Sequence, residues 1–73
     1  MEQGIDDINS KDTYGFTALE WASRQGQAEI VELLIDKGAD IDAEDNNELT
    51  ALTHASSYGH TDIMNMLKAG KSN

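Results

Sequence analysis

An all-α fold of two stacked helix-turn-helix units is what this sequence predicts, and three observations carry that expectation: an internal repeat, a helical spacing of apolar residues, and capping signals at the element ends. The chain matches itself at an offset of 33 residues without a gap. Asp12 falls on Asp45, Thr17-Ala18-Leu19 on Thr50-Ala51-Leu52, Ala22-Ser23 on Ala55-Ser56, Gly26 on Gly59, Ile30 on Ile63 and Leu34 on Leu67. Upstream, Asp7-Ile8 falls on Asp40-Ile41. Self-similarity at one fixed period marks a repeat architecture, in which each unit is a supersecondary piece too small to bury its own apolar face.

Taken in chain order, Leu19, Ala22 and Ser23 lie at i, i+3 and i+4, the spacing of one helix face. Thr17-Ala18-Leu19-Glu20 has the form of a capping box, in which hydroxyl and carboxylate satisfy each other's backbone N–H at the helix start. Gly26 ends this helix. Ile30, Val31, Leu33 and Leu34 make the stripe of a second one, with Glu29 at its start and Lys37 at its end, the arrangement the helix dipole favours. An acidic, non-periodic segment follows, and the pattern then begins again. Asp62 opens and Lys68 closes the second helix of the later unit, and Gly38, Gly59 and Gly70 are expected to follow helix ends.

The run Asp12-Thr13-Tyr14-Gly15-Phe16-Thr17-Ala18-Leu19-Glu20-Trp21-Ala22 resembles the opening of an ankyrin repeat with its T-P-L-H-x-A element. Gly26 answers to the glycine between the helices, and Ile30 to Ala43 to the second helix and loop. In the second unit, Gly59-His60-Thr61-Asp62-Ile63-Met64 keeps the G-H-x-x-I pattern, while Glu48 stands where the first has Gly15. The resemblance implies an all-α ankyrin-repeat solenoid of two helix-turn-helix repeats with hairpin-like loops. Its expected divisions are a partial leading loop over 1–11, a first repeat over 12–44 and a second over 45–73. Lys68-Ala69-Gly70 is one residue shorter than the matching end of the first unit, and Lys71-Ser72-Asn73 reads as a polar stop.

Departures from the family pattern are as informative. Ala18 and Ala51 replace its proline, and Glu20 and Thr53 replace its histidine. The usual histidine-to-turn hydrogen bonding must then be supplied by other groups, and the capping box is the expected substitute at Glu20.

Composition narrows the function. The chain has 73 residues, fourteen Asp+Glu against five Lys+Arg, a formal charge of −9, and neither cysteine nor proline. A domain of this size buries only about 60% of its unfolded surface, which leaves no room for a large substrate cavity. The basic residues are scattered and the net charge repels phosphate backbones and anionic headgroups, so neither nucleic acid nor a membrane is an expected partner. No disulfide framework is possible, and Met1 to Asp7 lacks the basic start and apolar run of a signal peptide; a soluble, cytoplasmic protein is expected.

Candidate chemistry fails on inspection. His54, His60, Ser56, Ser57, Tyr58 and Asp62 supply residue types of a hydrolase or a metal cluster, but no third ligand stands at zinc-like spacing. Asp40-Ile41-Asp42-Ala43-Glu44-Asp45 begins like a calcium loop, then has Asp45 where a glycine is needed and Ala51 where a bidentate glutamate is needed. Gly70-Lys71-Ser72 imitates the end of a phosphate loop without its first glycine or following helix. The expectation is a non-enzymatic protein with no cofactor and no metal.

The positions that differ between the units point to a binding surface, because shared residues build the stack. Thr13, Tyr14 and Phe16 become Asn46, Asn47 and Leu49 at the hairpin tips, and Arg24 and Gln25 become Ser57 and Tyr58 at the end of the first helix. By resemblance these line the concave surface through which ankyrin-like proteins bind partners, with Lys11 and Glu44 at neighbouring tips. Trp21 fits two roles, a packing residue or a contact anchor of the kind Trp, Tyr and Arg form at hot spots. The expected function is a protein-protein interaction module. Two alternatives stand beside it. One is a self-assembling protein that covers an open face formed by Leu19, Ala22, Ile30 and Leu33, by a two-fold face-to-face contact between copies. The other is an acidic decoy of a basic nucleic-acid-binding surface, suggested by six acidic residues from Asp36 to Glu48 against Lys37 alone.

Overall fold

The computed structural model describes residues 8–71 of the chain. Among them are four helices and no strand: α1 over Ala18–Gln25, α2 over Ala28–Asp36, α3 over Ala51–Ser57 and α4 over Thr61–Lys71. The first seven residues of the leading loop, Ser72, Asn73 and the side chain of Lys71 lie outside the described residues.

Each first helix starts where its threonine dictates. Thr17 Oγ1 accepts from Glu20 N at 3.2 Å, and Glu20 Oε1 accepts from Thr17 N at 2.8 Å, so the capping box is complete. Thr50 accepts from Thr53 N at 3.3 Å, but Thr53 has no carboxylate to return, and its hydroxyl meets that of Thr50 instead. Gly26 ends α1 at φ 77, its N–H on Ala22 O, and His60 Nε2 donates to Arg24 O at 3.1 Å, covering another carbonyl of that helix end. The carbonyl can only accept, so Nε2 carries the proton. Glu29 and Asp62 occupy the first turns of α2 and α4, where negative charge is favoured.

α1 packs on α2 and α3, and α4 on α3 and α2, so two helix pairs lie side by side. Leu19, Ala22, Val31, Ala51, Ala55, Ile63 and Leu67 form the buried core between them. Lys11 Nζ donates to Glu44 O at 2.6 Å, and Asp40 N donates to Asn9 Oδ1 at 2.7 Å, which ties the leading segment to the connector before the second pair.

Two expectations need correction. Leu19 and Ala22 are not on the open face: both are buried, while Ile30 and Leu33 remain 43% and 52% exposed. The helical stripe of α1 belongs to the buried core with Ala51 and Ala55 of α3, while Ile30 and Leu33 of α2 face outward. Gly70 does not follow a helix end but lies inside α4. An added Cβ there would sit 2.9 Å from Ile41 Cδ1 and 3.1 Å from Ile35 Cγ2, so close packing against these residues, rather than a left-handed turn, explains the glycine.

Candidate functional site

Each unit has the same turn ahead of its first helix. Asp12 N donates to Phe16 O at 3.0 Å and Gly15 N to Asp12 O at 2.9 Å, and 33 residues on Asp45 N donates to Leu49 O and Glu48 N to Asp45 O, both at 2.9 Å. Asp12 Oδ1 accepts from the N–H groups of Tyr14 and Phe16, and Asp45 Oδ1 from those of Asn47 and Leu49. An aspartate that bonds its own following backbone fixes a turn. The second oxygen then pins the helix: Asp12 Oδ2 accepts from the indole N–H of Trp21, and Asp45 Oδ2 pairs with His54 Nε2 at 2.9 Å. Helix-to-turn hydrogen bonding is thus supplied by Trp21 and His54, one position after the expected one, while Glu20 is engaged in the capping box.

The two tips approach each other closely. Asn46 N donates to Tyr14 O and Asn46 Nδ2 to Thr13 O, each at 3.4 Å. A Cβ on Gly15 would lie 2.7 Å from Asn46 N, and Gly15 has φ 82, so both space and backbone demand glycine there. Glu48, its counterpart, adopts φ 66 with a side chain.

Beside the tips lies an open groove of about 500 Å³ lined by Thr13, Tyr14, Phe16, Trp21, Arg24, Asn46 and Asn47. Phe16 is its centre, with ring centroids 4.7 Å from Trp21, 5.0 Å from His54 and 6.4 Å from Tyr14. Arg24 Cζ stands 5.6 Å from the centroids of Phe16, Trp21 and Tyr58, and its Nε donates to Tyr58 Oη at 3.0 Å. Contact with three aromatic rings at this range holds a guanidinium electrostatically. Tyr14 is 65% exposed, and Tyr58 is exposed on the far side of Arg24.

Seven of the eleven residues selected from sequence therefore line one groove. Tyr58 joins it through Arg24, and Tyr58 also stacks on His60, with centroids 6.1 Å apart. Gln25 and Ser57 are exposed at the ends of α1 and α3, while Leu49 is half-buried with its backbone bound into the Asp45 turn. The Trp21 indole N–H is fixed by Asp12 and its ring lines the groove.

Beneath the groove, donor atoms of Glu20, Asp45 and His54 lie within 4.8 Å of one another, and all three residues are buried. The sequence spacing conceals this grouping, because Glu20 comes from α1 and the other two from the second unit. Burial raises the Glu20 pKa above its ordinary value and the nearby Asp45 charge adds to the rise, against the opposing hydrogen bond from Thr17 N. Burial acts on Asp45 in the same sense, but there the N–H groups of Leu49 and Asn47 and the His54 ring outweigh it, so its pKa falls. Asp12 is lowered mainly by the Trp21 indole N–H. With Asp45 ionised, His54 Nε2 carries the proton of their hydrogen bond. One nitrogen and two carboxylates make one donor fewer than a closed structural zinc site, and the His54 nitrogen is already engaged. Glu20 is hydrogen-bonded to Thr17 within the first unit and Asp45 to His54 within the second, so the two units meet here in buried contact, with Glu20 Oε2 unpaired among the described residues.

Comparison with known proteins gives one consistent result. The model of a family described as ankyrin repeats (3 copies) matches residues 1–73. The chain is 40% identical over 42 residues to the scaffold protein ILK of Homo sapiens, covering 58% of this chain and 9% of that protein. It is 48% identical over 42 residues to the E3 ubiquitin-protein ligase Ufd4 of Drosophila melanogaster, covering 58% of this chain and 2% of the relative. Delta-latroinsectotoxin-Lt1a of Latrodectus tredecimguttatus is 54% identical over 37 residues, 51% of this chain and 3% of the toxin. The chain thus spans less than a tenth of the length of each relative.

Proposed function

The chain belongs to the ankyrin repeat family, whose members generally serve as protein-protein interaction modules and are typically non-enzymatic, and from that premise we propose that it binds a partner protein through the groove at its hairpin tips. The observation that carries this is the placement of Arg24 over Phe16, Trp21 and Tyr58 at the side of an open groove. Arginine and aromatic side chains dominate binding hot spots, and a side chain already held in place loses less entropy on association. Thr13, Asn46 and Asn47 supply polar groups at the rim, and Gln25, Leu49, Ser57 and Tyr58 flank the surface.

Affinity capture from a cell lysate tests the proposal with three baits: the unaltered chain, Tyr14→Ala and Arg24→Gln. Proteins held by the unaltered chain should be lost from both variants while their far-UV circular dichroism and melting stay close to the parent's. Equal capture by all three removes the groove from the function. Capture abolished by added salt, and confined to basic nucleic-acid-binding proteins, supports the decoy alternative instead.

A second reading, self-association, is supported by Ile30 and Leu33, two large apolar side chains exposed side by side on α2. Contiguous apolar surface on a soluble protein commonly marks a contact site.

A further inference from the structure

We infer that the buried group of Glu20, Asp45 and His54 is a binding site for one divalent transition-metal cation of the zinc type, held by Glu20 Oε2 from the first unit and by Asp45 Oδ2 and His54 Nε2 from the second.

Two independent observations converge there. The donor atoms of the three residues lie within 4.8 Å of one another. Separately, Glu20 is 1% exposed and its Oε2 has no hydrogen-bond partner among the described residues, while Oε1 is taken by Thr17 N. A buried carboxylate oxygen without a partner is costly, and a second carboxylate beside it adds repulsion. Asp45 is that second carboxylate, and no Lys or Arg forms an ion pair with either one among the described residues. A cation is the missing partner.

The repeat offers an internal contrast. In the first unit the link from turn to helix runs from Asp12 to the Trp21 indole, which is a donor only and ligates nothing. In the second unit the same link is made by an imidazole, the commonest metal ligand, and the neighbouring unit brings Glu20 against it. Thr53, the counterpart of Glu20, carries no carboxylate. The third ligand that spacing within the second unit does not supply thus comes from the first.

One nitrogen and two carboxylates fall short of a closed structural site and equal the protein share of an open zinc site, where water takes the fourth place. Calcium takes about six to eight oxygens and magnesium keeps several waters, which suits neither to a buried trio containing an imidazole. The hydrogen bond between His54 and Asp45 does not block the ion. A neutral imidazole carries one proton, which moves to Nδ1 and frees the Nε2 lone pair, and any proton on Glu20 leaves to solvent. The donors then draw together by about 1 Å. Because the hydrogen bonds of Glu20 and of Asp45 each stay within one unit, the ion becomes the polar link between the units at this point.

Long-range 1H–15N correlation of the imidazoles, recorded on the unaltered 73-residue chain during titration with zinc chloride, tests the site. His54 should change from a ring protonated at Nε2 to one protonated at Nδ1 with Nε2 on the metal, saturating at one ion per chain. His60, whose Nε2 donates to Arg24 O, should stay as it was. The melting temperature should rise with zinc and fall back when a chelator is added. Glu20→Gln keeps an oxygen for Thr17 N and removes one charged ligand, so its zinc affinity should drop at least about tenfold. Calcium chloride should change neither ring. A His54 ring left unchanged by millimolar zinc overturns the proposal, whether zinc binds nowhere or only adventitiously at His60 or the exposed acidic residues. So does a folded Glu20→Gln variant that binds zinc as tightly as the parent, and calcium acting like zinc overturns the choice of metal. Should Glu20→Gln fail to fold, the His54 spectrum of the unaltered chain decides.

Discussion

Asp12 and Asp45 make the same hydrogen bonds in two different solvents. Both close a turn with Oδ1 and hold a first helix with Oδ2, yet Asp12 is exposed and Asp45 is buried. The difference comes from the stack: the turn of the second unit lies beneath Phe16 and Glu20 of the first, while the turn of the first has no such neighbour. Water can replace a lost partner at Asp12 and cannot at Asp45. A repeated sequence therefore does not imply repeated energetics, because each local motif takes its dielectric from whatever unit lies beside it.

The largest expected effect breaks this comparison directly. Asp45→Ala leaves His54 and the N–H groups of Asn47 and Leu49 without their acceptor, and a buried group left unpaired costs about 1–3 kcal/mol. Against the small stability of a domain this size, the variant should lose its cooperative melt or melt far below the parent. Asp12→Ala should shift the melting temperature by much less. Equal shifts would mean that burial does not separate the two turns.

Capping comes next. Thr17 takes part in a reciprocal box and Thr50 in a one-way cap, so Thr17→Ala should fall toward the upper end and Thr50→Ala toward the lower end of the ~0.5–2 kcal/mol typical of lost N-caps. Chemical denaturation of the two variants checks the order.

The tips give an opposite sign. Glu48 holds φ 66, a region that costs a side-chain-bearing residue about 1–2 kcal/mol. Glycine removes that strain and loses about 0.4–1 kcal/mol through its freer unfolded chain, so Glu48→Gly should stabilise by up to ~1.5 kcal/mol. Gly15→Ala should destabilise, since its Cβ would meet Asn46. A lower melting temperature for Glu48→Gly would show that the Glu48 side chain contributes more than its backbone strain takes away.

The smallest effect concerns pH. Burial raises the Glu20 pKa in the fold, so the stability from its protonated form is complete below the ordinary glutamate range and is lost as pH rises through the folded value. Asp45, with its pKa lowered, acts oppositely: its contribution is present above the ordinary aspartate range and lost as pH falls. Glu20→Gln removes only the first dependence. The parent's advantage over Glu20→Gln should be greater at about pH 5 than at about pH 7 in paired urea titrations. An advantage that grows toward neutral pH would reverse the assignment.

Much of the groove was legible before the fold. Tyr14, Phe16, Arg24, Asn46 and Asn47 were selected because they differ between units, and they meet in one groove. The aspartate-to-helix link was not read, although its signal was available: Asp12 to Trp21 and Asp45 to His54 have the same spacing of nine residues. It was hidden by chemistry, since an indole and an imidazole look unlike until both are seen as N–H donors. Gly70 misled for a related reason. Near a chain end, a glycine that stops a helix and one that lets a helix pack closely read alike.

The sequence by itself determined the period, the helix starts, the turns and the family, because these depend on contacts within a few residues or on direct comparison of one unit with the other. Tertiary structure decided what depends on the space between units. It set which side of each apolar stripe is covered, why Leu19 is buried and Ile30 exposed, and why Glu20 stands beside Asp45 and His54. Burial and electrostatic environment are set by neighbours distant along the chain, and two segments that match residue for residue acquire different environments as soon as they stack.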